Sequence, residues 1–150
     1  REDLDEIISK TNVISINDEE ARMLTNCHSL VKAAQKIQKM GPEFVIIKKG
    51  EHGALLFYKN EVFCAPALPL EEVFDPTGAG DSFAGGFAGY LTQTLDFSFN
   101  NMKSAVIYGS AMASFTVEKF GTDSLINCSV SSMANRIKAF KELTTFEIEF

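Results

Sequence analysis

The 150-residue chain has no tryptophan, three cysteines and four prolines, and its basic residues are outnumbered, 14 Lys and Arg against 20 Asp and Glu. Each shortage excludes something. A formal net charge of −6 makes the chain a poor ligand for a phosphate backbone, so nucleic acid is not an expected partner. No apolar run approaches the roughly 18 residues that span a bilayer, so a membrane is not expected either. Arg1-Glu2-Asp3-Leu4-Asp5-Glu6 lacks the basic start and apolar core of a signal peptide. An initiator Met is also missing, and the chain is expected to be trimmed. Cys27, Cys64 and Cys128 lie far apart, with no CxxC and no Cys/His ligand spacing. They read as reduced thiols acting as small apolar residues, which fits a cytoplasmic location. No repeat or low-complexity linker interrupts the sequence.

What is present is ordinary globular composition, 45% hydrophobic and 23% charged. A chain this long buries roughly 68–70% of its unfolded surface, enough for one core. Thirteen phenylalanines without a tryptophan suggest core packing, or faces built to meet something this chain does not contain. Leu4, Ile7 and Ile8 make a short helical stripe over 3–10. Asn12–Ile16 is β-branched and apolar, a buried strand. Asn17 with Glu20 three residues later has capping-box spacing and opens a helix. Ser29 caps the next helix, which Gly41-Pro42 stops. Phe44–Ile47 is a second buried strand, 54–58 and 61–65 are hairpin-like strands, and helical patterns cover 79–92, 99–117 and 130–140. Strands alternating with helices indicate an α/β sandwich around a mostly parallel sheet. Two wholly apolar strands plus a hairpin make a thin sheet for so many helices, so the chain reads as the C-terminal part of a larger domain.

Asp75-Pro76-Thr77-Gly78-Ala79-Gly80-Asp81 is the most informative segment. Two glycines around a small residue let the backbone turn tightly and point successive N–H groups one way. At a helix N-terminus such donors form an anion site. The loop is not a dinucleotide fingerprint, because Phe83 stands where its third glycine would be, and that disfavours a dinucleotide-dependent oxidoreductase. Nor is it a Walker A loop, since no GK[ST] follows. Physical chemistry alone leaves two readings open. One is an anion cradle with a carboxylate, Asp81, in the helix's first turn. The other is a glycine turn followed by an acid that complements the helix dipole.

The run from Asp75 to Phe87 (DPTGAGDSFAGGF) closely resembles the second signature of the ribokinase-like (PfkB) carbohydrate and nucleoside kinases. The resemblance covers the whole chain, which looks like the C-terminal half of a kinase about twice as long. It implies an α/β, three-layer ribokinase-like sandwich, of which residues 1–150 are only the C-terminal nucleotide-binding part. The resemblance implies that the N-terminal half, which in this family carries most sugar contacts and the β-lid, lies outside these residues.

The resemblance also implies roles. Asp81 sits where the family has its catalytic base, and Gly78, Ala79 and Gly80 occupy its anion hole. Asn17 and Glu20 match the N-x-x-E motif that works near Mg²⁺ and the phosphates, Glu20 through water. Lys48, Gly50 and Gly53 fall on the loop that wraps the nucleotide. Tyr108, Gly109 and Ala113 lie on the helix lining the adenine pocket, and Gly109 replaces the Asn or His common there. Asp75, Thr77, Thr116, Lys119 and Gly121 align with a monovalent-cation loop, mainly through backbone carbonyls, with K⁺ as the expected ion. Pro76, found in some subgroups, costs only a backbone N–H.

Other features read as structural. His28 and His52 are not expected to function. Gly85, Gly86 and Gly89 have the spacing of close helix packing. Phe83, Phe87 and Tyr90 form a core stripe, while Lys103, Glu147 and Glu149 are solvated charge. The expected function is ATP-dependent phosphate transfer to a hydroxyl of a sugar or nucleoside. A non-catalytic nucleotide-binding module is the alternative. The expected partners are that small molecule and the remaining N-terminal half of the kinase. Alone, the 150 residues are expected to self-associate through uncovered strands, or to survive only beside the remaining half, and to be inactive.

Overall fold

A computed structural model describes residues 2–119 and 123–149. The chain divides into two compact units, Arg1–Ala65 and Pro66–Phe150.

The first unit contains α1 (Glu2–Ser9), β1 (Val13–Asn17), α2 (Asp18–Thr25), α3 (Leu30–Met40), β2 (Phe44–Lys48), a 3-10 turn at Gly50–His52, β3 (Ala54–Tyr58) and β4 (Glu61–Ala65). The sheet order is β1-β2-β3-β4. Only β1 and β2 run parallel, joined by the α2–α3 crossover; β2–β3 and β3–β4 are antiparallel. The sheet is therefore mixed, not mostly parallel. The reason is connection length, because the short turns after Lys48 and Tyr58 can only return the chain antiparallel. Strand β1 has one neighbour among the described residues, and its Ser15 is exposed, so it is less enclosed than its apolar sequence suggests.

Strand β2 is buried on both faces from Phe44 to Ile47. On one face Val45, Ile47 and Phe57 pack with Ala21 of α2 and Ala33, Ala34 and Ile37 of α3. Burying an Ile or Val side chain fully contributes about 1.5–3 kcal/mol. The small alanines let both helices lie close to the sheet. Helix α3 ends at Gly41, where φ is 148°. A Cβ there would stand 2.7 Å from Ser9 Cα and 2.8 Å from Ser9 O, so the ends of α1 and α3 meet backbone to backbone.

The second unit is helical among its described residues: α4 (Ala79–Thr94), α5 (Phe99–Val117), α6 (Asp123–Ile126) and α7 (Val130–Thr144). Ser98 and Ser129 cap α5 and α7 with their side chains. Helix α4 packs on α5 through Gly86 and Gly109. A Cβ at Gly86 would lie 2.6 Å from Met112 Cγ, and one at Gly109 would lie 2.7 Å from the Phe83 carbonyl oxygen. Gly85 and Gly89 face open space, so the expectation of close packing holds only for Gly86. Phe83 and Phe87 are buried, with ring centroids 6.3 Å apart.

Helix α7 is fastened to α5 by Arg136. Its Nη1 donates to Ser114 Oγ at 2.9 Å, and its Nη2 donates to both Glu118 carboxylate oxygens, at 3.0 and 2.8 Å. The guanidinium also stacks 3.9 Å from the Phe115 ring centroid. Among the described residues, no helix is long and apolar enough to cross a membrane.

Candidate active site

In the sheet unit, the register places Asn17 of β1 beside Lys48 of β2, at the carboxyl ends of the parallel pair. Open α/β sheets bind ligands at that end. Asn17 also caps α2. Its Oδ1 accepts the Glu20 N–H at 2.7 Å, and its own N–H donates to Glu20 Oε2 at 2.8 Å. The capping box occupies one Glu20 carboxylate oxygen; Oε1 has no hydrogen-bond partner among the described residues. Lys48 Nζ likewise has no ion-pair or hydrogen-bond partner there.

After Lys48 the chain closes a tight turn. The Lys49 N–H donates to Gly53 O at 2.7 Å, and the Gly53 N–H donates to Gly50 O at 3.1 Å. Both peptide groups of Gly53 are thus used within the turn. The structure brings Asn17, Glu20 and Lys48 to one end of the sheet and places Gly50 and Gly53 in the turn beside it.

In the helical unit, Asp75 Oδ1 accepts the Thr77 N–H at 2.9 Å. The Thr77 hydroxyl, and then its N–H, hold the Asp75 carboxyl below the usual aspartate value. The Ala79 N–H donates to Pro76 O at 3.1 Å, closing a turn around Thr77 and Gly78. Gly78 adopts φ 80° and ψ −2°, a left-handed conformation that most side chains resist. Crowding is not the reason for glycine, because a Cβ there would meet only Thr116 Cγ2, at 4.0 Å.

Helix α4 then begins without a side-chain cap, whereas α2, α3, α5 and α7 each begin with one. The Ser82 N–H bonds to Gly78 O at 2.9 Å, but the Gly80 and Asp81 N–H groups have no acceptor among the described residues. Asp81 is the third residue of the helix and exposed, and its carboxylate makes no hydrogen bond or ion pair there. Two backbone donors and one free carboxylate therefore share a single turn.

The end of α5 supports this turn. The Phe74 N–H donates to Val117 O at 2.9 Å, and Thr116 Oγ1 lies 2.7 Å from Ser82 Oγ. Asp75, Thr77 and Thr116 thus gather near the glycine turn. Lys119 is exposed just beyond α5, and Gly121 lies outside the described residues. Tyr108 packs against Tyr90 with ring centroids 4.5 Å apart and the rings tilted by 34°, and Ala113 is half-buried. Gly109 is buried against Phe83, so its smallness has a packing cause. Sequence reading missed the Ser82–Thr116 contact and the Phe74 anchor. Each joins positions more than 30 residues apart, with no local signal.

Among the described residues, no cluster of three His, Cys, Asp or Glu could hold a metal. A cation at the end of the sheet would find one carboxylate, Glu20, and would need further ligands from elsewhere.

The family model described as pfkB family carbohydrate kinase matches residues 1–127. The chain belongs to the pfkB family. Over 93 residues it is 43% identical to a cytidine kinase of Thermococcus kodakarensis, covering 60% of this chain and 33% of that protein. It is 33% identical to a ribokinase of Haemophilus influenzae over 132 residues, covering 81% of this chain and 40% of that protein. The aminoimidazole riboside kinase of Salmonella enterica, solved with aminoimidazole riboside and an ATP analogue, shares the fold. Its TM-score is 0.80 at 23% identity, over 91% of this chain and 45% of that one. The chain thus spans between a third and a half of the length of these proteins.

Proposed function

We propose that the protein containing this chain transfers phosphate from ATP to a hydroxyl of a sugar or nucleoside. The observation that carries this reading is the start of α4, uncapped, with two unpaired N–H donors and a free carboxylate in one turn. Developing negative charge on a transferring phosphoryl group needs donors of this kind, fixed before the reaction. Kinship with a cytidine kinase and a ribokinase supports the acceptor class.

In this reading the acceptor oxygen attacks the γ-phosphorus and its proton passes to the Asp81 carboxylate. The bond to the β–γ bridging oxygen breaks, and ADP leaves. Gly78 and Gly80 hold the γ-phosphoryl oxygens through the backbone, whereas Ala79, expected beside them, has its N–H taken by Pro76 O. Asp81 lies exposed in the first turn of α4, beside those donors. A loose phosphoryl transition state asks more for position than for basicity. Asn17 and Glu20 act near Mg²⁺, which neutralises phosphate charge when bound, and Lys48 acts as a phosphate partner. Gly50, Gly53, Tyr108, Gly109 and Ala113 border the nucleotide. Asp75, Thr77, Thr116, Lys119 and Gly121 serve a K⁺ site.

Residues 1–150 are, in this reading, the C-terminal part of a cytoplasmic kinase domain whose N-terminal part supplies most acceptor contacts. The test is phosphate transfer by the full-length protein, assayed with ATP against a panel of sugars and nucleosides. Transfer to at least one of them is expected. ATP binding without transfer would instead mark a non-catalytic nucleotide-binding module.

A further inference from the structure

We propose that Arg136 is a positioning residue for the glycine turn, acting through the last turn of α5. The inference rests on the phosphotransferase reading only for its effect on rate; the mechanical link stands on the contacts alone. Arg136 holds Ser114 and Glu118, which are four residues apart and so lie on one side of the helix end. Its side chain is 14% exposed, and its two terminal nitrogens hold different residues, Nη1 Ser114 and Nη2 Glu118, which fixes orientation as well as distance. Between those two residues lie Thr116 and Val117, which hold the glycine turn. Thr116 touches Ser82, and the Val117 carbonyl takes the Phe74 N–H. The last turn of a helix leaves its final carbonyls without intrahelical partners and tends to fray. Here that turn is clamped from α7 on one side and carries the turn's two anchors on the other. Releasing the clamp would let α5 fray at the turn that holds Phe74 and Ser82, the two residues anchoring the glycine turn.

The test compares the full-length protein with its Arg136→Met and Arg136→Lys variants. Three readouts are taken: amide exchange at Phe74 and Ser82, melting temperature, and kcat and KM for ATP. With Met, exchange at Phe74 is expected to quicken at least about tenfold while amides in the middle of α5 keep their protection. The kcat should fall on the order of tenfold with a smaller change in KM, because a small misplacement acts on the chemical step. Lys keeps the charge but lacks the fork, so it should give part of both effects. If the Met variant does not fold, the Lys variant carries the test. Phe74 exchange unchanged in a folded variant would overturn the proposal, as would faster exchange with unaltered kcat. If the unmodified protein transfers no phosphate, the phosphotransferase reading fails alone, and Phe74 exchange still decides whether the clamp reaches the turn.

Discussion

Two helices of this chain begin at residues proposed for phosphate chemistry, and they begin in opposite ways. Helix α2 is closed, because Asn17 and Glu20 satisfy each other's backbone N–H groups. Helix α4 is open, because Gly78 has no side chain to offer and the next donors stay unpaired. A closed helix start is explained by its own stability and gives weak evidence of a ligand. The open start gives up a cap worth roughly 0.5–2 kcal/mol and places a strained-for-most-residues glycine in its stead. A helix start with no side-chain cap, where α2, α3, α5 and α7 each have one, is the stronger pointer to an anion.

The contrast can be broken most directly at Asp81. Asp81→Asn in the full-length protein should lower kcat by about 10²–10⁴ while ATP affinity and melting temperature hold. Undiminished turnover would remove Asp81 as the proton acceptor. Gly80→Val should lower ATP affinity, kcat or both by about 10–10², since a branched side chain would stand beside the open donors. Calorimetric titration with ATP and steady-state rates check this; if neither moves, the open start is only a turn.

At the closed start, Glu20→Gln keeps the capping box, which accepts either residue, but removes the charge. Melting temperature should stay put while the Mg²⁺ concentration for half-maximal rate rises about tenfold. An unchanged Mg²⁺ requirement would leave Glu20 as a cap and nothing more. The smallest effects separate packing from function. Gly109→Ala should destabilise by about 1–3 kcal/mol, because the methyl group meets the Phe83 carbonyl. Gly89→Ala, in open space on α4, should stabilise by about 0.5–1 kcal/mol. Denaturant unfolding of both variants reads the difference, and equal responses would contradict the α4–α5 packing.

Local signals carried most of the secondary structure. Asn17/Glu20 spacing located the start of α2, Ser29 that of α3, and Gly41 the end of α3. The hairpin at 54–65 followed from the polar Lys59-Asn60 turn, and the extent of α5 at 99–117 from a helical pattern. The glycine turn was legible because its residues are contiguous. Distant relations were not. The exposed side of β1 depends on which strands pair, and the open space at Gly85 and Gly89 depends on which face of α4 meets α5. The Arg136 fork spans 18 residues to Glu118 and follows from no periodicity of either helix.

Gly41 limits how this sequence can drift over generations. Its φ of 148° disfavours any side chain, and the Ser9 backbone already occupies the place a Cβ would take. The two restrictions are independent, so a neighbour's repacking cannot relieve both. A substitution elsewhere on α3 can be compensated by a second one nearby, which lets lineages wander through paired changes. Position 41 offers no such detour. It holds the ends of α1 and α3 together, backbone against backbone.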